Sequence, residues 1–239
     1  VVNMKGELVG LTTSGGNPQG FDAQAGYAIP MDSLSRRAIN SLLKGEEVEY
    51  GFLGVSLNAS GDNVINGVSQ GTPASKAELL PQDQIIKVGD FEIKDGDGLV
   101  LAVNALPVET PVKIQIRRDN RIIERDLRLA KFPVNGEVIA TNRPKPWRGI
   151  EVDYPSVAIQ GNVNPDIPVL RTGISESDGA LVTTVAEDSP ISGLIKPGTL
   201  IIFVNDQRVR SPREFREITQ NLKGKVKIRT NESEYEIPE

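Results

Sequence analysis

The two residue types that carry much of protein chemistry, cysteine and histidine, do not occur in this 239-residue chain. Without cysteine there is no thiol nucleophile or thiolate zinc ligand, and without histidine a Ser-His-Asp triad lacks its general base. The Ser-Gly-Gly segment at 14–16 imitates the surroundings of a catalytic serine, but the chain has no histidine to activate it. The Asp-Gly-Asp-Gly segment at 95–98 imitates a calcium loop, but Leu106 stands where a bidentate glutamate is needed. We therefore predict no catalytic residue, metal or cofactor, and interpret segment 95–98 as the capping turn of a helix.

The strongest candidate for a binding site uses backbone groups. In Phe52-Leu53-Gly54-Val55 a glycine lets the chain turn tightly, so that consecutive N–H groups can face a carboxylate. The strand that continues through Val55-Ser56-Leu57 can offer an open edge to an added peptide strand. The groove wall would be the helix predicted at 98–106, whose small residues share a face that leaves room for a ligand side chain: Gly98, Ala102 and Ala105. The alternative is that Gly54 only turns a buried strand.

The same pattern of strands, a Thr-Pro or Ser-Pro turn, a helix and a hairpin occurs twice after residue 50. The second copy opens with Arg148-Gly149-Ile150, where Arg148 could attract a terminal carboxylate. The alternative is a structural domain that packs on its neighbour and binds nothing. We predict four segments: a first unit at 1–50 with a helix from about Asp32 to Leu43, the first copy at 51–131, a proline-rich linker at 132–146 and the second copy at 147–239. The second copy contains an irregular insertion at 156–178.

Charge and hydropathy limit the partners. Lysine and arginine number 27 against 32 aspartate and glutamate residues, a net charge of −5, which argues against a nucleic-acid binder. No apolar run approaches the 18–20 residues, roughly, that a membrane span needs. Peptides remain the partners that the backbone site favours.

Three segments of the chain resemble a known family in the family's order. Segments 53–55 (Leu-Gly-Val), 72–77 (Thr-Pro-Ala-Ser-Lys-Ala) and 80–86 (Leu-Pro-Gln-Asp-Gln-Ile-Ile) resemble a bacterial PDZ domain, and segments 189–190 and 196–205 resemble a second one. Residues 1–45 resemble the last strands and C-terminal helix of a trypsin-like domain of the HtrA/Deg serine proteases. The chain departs from the family at Glu78 and Gln82, where these PDZ domains usually carry glycine.

The resemblance implies a mainly β fold of α+β type, with tandem, partly open PDZ barrels preceded by a remnant of a trypsin-like barrel. It implies the C-terminal, regulatory part of an HtrA-like endopeptidase for misfolded proteins, in the periplasm or cell envelope, from a parent that is a homo-oligomer. The catalytic residues would precede Val1, and the chain is expected to be a fragment without peptidase activity of its own. The rival reading is a tandem-PDZ scaffold whose full-length form has no catalysis.

Overall fold

The computed structural model describes residues 1–13, 27–134, 140–159 and 178–238. The chain forms two compact units, one of residues 1–48 with 139–143 and one of residues 49–138 with 144–239. No helix among the described residues is long and apolar enough to cross a membrane.

The smaller unit is a short hairpin followed by a helix. Strand β1 (Gly10–Thr12) pairs antiparallel with β2 (Ala28–Pro30), and α1 spans Ser33–Leu43. Helix α1 begins at the predicted place because the Asp32 side chain accepts a hydrogen bond from the Ser35 N–H at 2.9 Å. Among the described residues of this unit only Gly10 is buried. The predicted Ser-Gly-Gly turn at 14–16 lies outside the described residues.

The first domain of the larger unit contains three small open sheets and two helices. Their order along the chain is β3 (Gly51–Phe52), β4 (Val55–Leu57), β5 (Ile65–Val68), α2 (Pro73–Lys76), β6 (Gln84–Val88), β7 (Phe91–Glu92), α3 (Gly96–Ala105), β8 (Pro111–Arg118), β9 (Arg121–Arg128) and β10 (Ala130–Lys131). The sheets have the orders β10-β3, β4-β5 and β7-β6-β8-β9.

Alternation of side chains builds the core of this domain. Strand β8 turns Val112, Ile114 and Ile116 inward, because successive side chains of a strand face opposite sides. They pack with Leu99 and Val103, which are four residues apart on α3. Helix α3 begins at Gly96, two residues before the predicted start, because the Asp95 carboxylate accepts a hydrogen bond from the Gly98 N–H at 2.7 Å. The acidic segment at 95–98 thus caps a helix, as predicted.

The second domain is built on one six-stranded sheet. It contains β11 (Ile150–Asp153), α4 (Ser156–Ile159), β12 (Ala180–Val185), β13 (Leu200–Val204), β14 (Gln207–Arg208), α5 (Pro212–Thr219), β15 (Val226–Thr230) and β16 (Glu234–Ile237). The strand order is β11-β12-β13-β15-β16, with β14 paired to β13. Helix α5 buries Phe215 in the core. Most of the predicted insertion, residues 160–177, lies outside the described residues.

The predicted fold class is confirmed. The described chain is mainly β with short helices, and its sheets are open rather than closed into barrels. The two departures from the glycine pattern have a structural consequence, since Glu78 and Gln82 adopt the left-handed backbone conformation, with φ of 57° and 73°. Glycine enters this region without the steric cost that a Cβ brings.

Candidate functional site

The loop between β3 and β4 holds two backbone N–H groups that are bonded to no backbone carbonyl of the described residues. Phe52 is the last residue of β3 and lies opposite Ala130 of β10. The Leu53 carbonyl accepts from the Ala74 N–H at 2.9 Å, and the Gly54 carbonyl accepts from the Ser69 N–H at 3.0 Å. Within the described part of the chain, the N–H groups of Leu53 and Gly54 donate to no backbone carbonyl. Consecutive free N–H groups of this kind form a site for an anion.

Gly54 is required by a close approach rather than by the site itself. Its φ is +87°, and a Cβ placed on it would lie 2.2–2.4 Å from three atoms of the Thr72 side chain. Thr72 is buried and caps α2, with its hydroxyl accepting from the Ser75 N–H at 3.4 Å. A side chain at position 54 therefore collides with the body of the domain.

A mainly apolar groove of about 510 Å³ begins at this loop. Its lining residues come from the β3–β4 segment, from α3 and from Phe132: Tyr50, Gly51, Phe52, Leu53, Gly54, Val55, Leu57, Leu99, Val100, Val103, Asn104 and Phe132. None of these residues carries a charge. Ser56 is exposed on β4 and does not line the groove.

The face of α3 that lines the groove differs from the predicted one. Ala102 is 3% exposed and belongs to the hydrophobic core, and neither Gly98 nor Ala105 lines the groove. The wall is formed instead by Leu99, Val100 and Val103. Two of them, Leu99 and Val103, also belong to the hydrophobic core, so this side of α3 lies between the core and the groove. Of the three small residues only Ala102 packs in the core, whereas Gly98 and Ala105 are half-buried outside the groove.

Strand β4 has a free edge next to the groove. It pairs antiparallel with β5, Val55 opposite Val68 and Ser56 opposite Gly67, and no other described strand pairs with it. An edge strand with unpaired N–H and C=O groups can accept a further strand. The groove thus combines free donors at one end, an apolar floor and an open strand edge.

The corresponding turn of the second domain is a tight hairpin, although the backbone N–H groups of Arg148 and Gly149, like those of Leu53 and Gly54, donate to no backbone carbonyl of the described residues. Trp147 and Ile150 exchange both backbone hydrogen bonds at 3.0 Å, and the residues between them, Arg148 and Gly149, have φ of 48° and 79°. Two positive φ values at the centre of such a turn are typical of a type I′ hairpin. The Ile150 N–H is therefore bonded within the turn. Gly149 lies against Ser189, with a hypothetical Cβ only 2.8 Å from the Ser189 Cβ, as Gly54 lies against Thr72.

The Arg148 side chain, predicted to attract a peptide carboxylate, is bonded to backbone carbonyls of its own domain. Its guanidinium donates to the carbonyls of Gly224 at 2.5 Å and Ile237 at 3.3 Å, and also to that of Pro238. The same group lies 4.7 Å from the centre of the Trp147 ring. The Trp147 ring in turn packs edge-on against Phe215 of α5, with centroids 5.8 Å apart. Arg148 therefore ties the turn to the C-terminal hairpin, a contact that residues distant in sequence create.

Comparison with known proteins agrees with this geometry. Residues 51–129 match the model of the PDZ domain. A probable periplasmic serine endoprotease described as DegP-like, from Chlamydia trachomatis, is 27% identical over 238 residues, which is 94% of this chain and 45% of the relative. The relative of the same description from Rhizobium meliloti is 24% identical over 237 residues, 92% of this chain and 45% of the relative.

Two solved structures are also similar. The HtrA-type protease AlgW with a decapeptide is 24% identical, with a TM-score of 0.41 over 59% of this chain and 44% of that one. The serine endoprotease from Yersinia pestis is 21% identical, with a TM-score of 0.41 over 55% and 46%.

The fold and the groove define the class of protein: it contains a PDZ domain, a type of domain that binds peptides. The relatives matched along nearly the whole chain specify the similarity further: over most of its length the chain is similar to DegP-like serine endoproteases. It spans about half the length of the curated relatives it matches.

Proposed function

We propose that the first domain captures the free C-terminus of a peptide or unfolded protein. The N–H groups of Leu53 and Gly54 hold the terminal carboxylate, and the peptide adds as a strand beside β4. Its last side chain enters the groove between β4 and α3. The observation that carries this proposal is the pair of free N–H groups at the head of an uncharged groove.

The groove favours an apolar last residue, because a charged side chain would lose its hydration without finding a partner there. The net contribution of each hydrogen bond is about 0.5–1.5 kcal/mol, so a short peptide is expected to bind at roughly micromolar strength or weaker. The second domain is proposed to act as a PDZ-like structural module rather than a second carboxylate site, because its Ile150 N–H is bonded within the turn and its Arg148 guanidinium donates to backbone carbonyls.

The family relationship extends the proposal to the whole protein. The chain would be the substrate-binding, regulatory part of a periplasmic, homo-oligomeric serine endopeptidase that acts on misfolded proteins. Residues 1–50 would complete its trypsin-like domain, with 51–131 and 147–239 as two PDZ domains joined by 132–146. Support comes from the names of the relatives and from their match to most of this chain.

The test is a titration of one fluorescent hexapeptide ending in leucine, with its C-terminus free or amidated. Val100 lines the groove and is 54% exposed, whereas its neighbour Leu101 is 60% exposed and lies outside the lining. We expect Val100→Glu to weaken binding about tenfold or more, the equivalent of 1.4 kcal/mol, and Leu101→Glu to have little effect. Amidation should weaken binding by a similar factor.

Two results would overturn the proposal. Equal affinity for the free and the amidated peptide would rule out carboxylate capture. Equal effects of Val100→Glu and Leu101→Glu would place the peptide elsewhere on the domain.

A further inference from the structure

The last strand of the first domain is anchored by the second domain. Lys131 of β10 is almost fully buried, and its ammonium group donates to both carboxylate oxygens of Asp153, at 2.9 and 3.1 Å. The Ser156 hydroxyl, also buried, donates to the Lys131 carbonyl at 2.7 Å. Asp153 ends β11 and Ser156 begins α4, so two elements of the second domain hold the side chain and the backbone of one residue.

The same strand pairs with β3 beside the groove of the first domain, and the residue that follows it, Phe132, lines the groove. Ala130 pairs with Phe52, and the Phe132 N–H donates to the Tyr50 carbonyl at 2.7 Å. The Phe132 ring packs edge-on against Phe52 with centroids 6.0 Å apart, and both rings line the groove. Lys131 thus lies between Ala130 and Phe132, the two residues that hold β3 in place. Strand β3 comes directly before the loop with the free N–H groups.

We propose that Asp153 and Ser156 are positioning residues for the peptide groove of the other domain. Strand β10 contains two residues, and a pairing this short is marginal without support from its neighbours. Asp153 and Ser156 supply that support from outside the first domain. When they release Lys131, β10 separates from β3, Phe132 leaves the groove wall, and the loop 53–54 loses its fixed position.

The coupling acts in both directions. If docking of the second domain favours the peptide-binding form of the groove, a bound peptide must favour docking by the same factor. The second domain then regulates the first without binding a peptide itself. This inference rests on the proposed function for its effect on peptide affinity, but the anchoring of β10 can be measured without any peptide.

A second ion pair between the two domains provides the matched control. Lys76 and Asp178 lie 2.6 Å apart at the exposed rim, and neither residue belongs to β10 or β3. Asp153→Asn and Asp178→Asn are the same chemical change in the same pair of domains. They differ in whether the affected lysine lies on the strand that pairs with β3 of the groove.

The experiment compares amide hydrogen exchange and peptide affinity in the wild-type chain and both variants. Asp153→Asn is expected to speed exchange at residues 50–54 and 130–132 by about tenfold, while residues 111–128 keep wild-type rates and show that the domain is folded. It should weaken binding of the leucine-ending hexapeptide by about fivefold, whereas Asp178→Asn leaves both quantities within twofold. In the wild type, saturating peptide should slow exchange at residues 153–157.

The outcomes separate the two proposals. If the wild-type protein binds no peptide, the proposed function is overturned. The hydrogen exchange at residues 50–54 then tests by itself whether Asp153 and Ser156 position the groove. Wild-type protein that binds peptide, with Asp153→Asn unchanged in affinity and exchange, overturns the positioning role. If Asp153→Asn also speeds exchange at 111–128, the milder variant Ser156→Ala decides. A rise of about threefold confined to 50–54 and 130–132 would support the inference, and no rise would refute it.

Discussion

Replacing Gly54 with alanine tests why the loop at the head of the groove needs glycine. An alanine at a φ of +87° carries a steric cost of about 1–2 kcal/mol. Its methyl group would also lie 2.2 Å from the Cβ of Thr72, whereas carbon atoms in contact are normally about 3.5–4.0 Å apart. Rotating the Thr72 side chain cannot relieve an overlap with its Cβ, so the backbone must shift, at a further cost of about 1–3 kcal/mol. We expect a total loss of about 2–5 kcal/mol.

Gly61 provides the control, because its φ is +76° and nothing lies within 4 Å of a Cβ placed on it. Gly61→Ala should therefore cost only the conformational part, about 1–2 kcal/mol. Native-state hydrogen exchange of the buried amides of β6 and β8 measures the free energy of unfolding of this domain in each variant. If Gly54→Ala and Gly61→Ala lower that free energy equally, the contact with Thr72 does not constrain the loop and the reasoning fails.

Two further predictions concern backbone conformation and pH. Gln82→Gly should raise the free energy of unfolding by about 0.5–1 kcal/mol, because position 82 has a φ of 73°. The control Gln84→Gly, within β6, should lower this free energy. If Gln84→Gly is more stable than Gln82→Gly in the same exchange assay, the prediction is contradicted. Burial, and then the charges of Glu49 and Glu109, raise the pKa of the Tyr154 phenol far above its usual value of about 10. Above about pH 10 this phenol ionises in the unfolded chain but stays protonated in the folded protein, so rising pH favours unfolding. The free energy of unfolding of the wild type should therefore fall with pH more steeply than that of Tyr154→Phe, by up to about 1.4 kcal/mol per pH unit. Equal slopes for the two proteins in urea denaturation between pH 9.5 and 11 would show that the phenol is accessible to solvent.

Local patterns predicted much of this protein from its sequence. Asp32 and Asp95 mark helix starts, because a cap needs only its own side chain and the next three residues. The repeated order of such segments also indicated the PDZ fold and the family before any contact was known, and the loop at 52–55 as the candidate site.

Tertiary contacts decided which side chains form the groove and which only support it. The face that α3 turns to the groove depends on packing against strands far away in sequence, so Val100 and Val103 line it while Ala102 is in the core. The sequence around Arg148 predicts a carboxylate ligand, but in the fold its guanidinium donates to the backbone carbonyls of Gly224 and Ile237. The contact between Lys131 and Asp153 joins residues in different domains, and neither has a local signature. The sequence by itself determined the elements, whose causes lie within a few residues, whereas only the tertiary structure decided the contacts between them, because these depend on how distant segments pack.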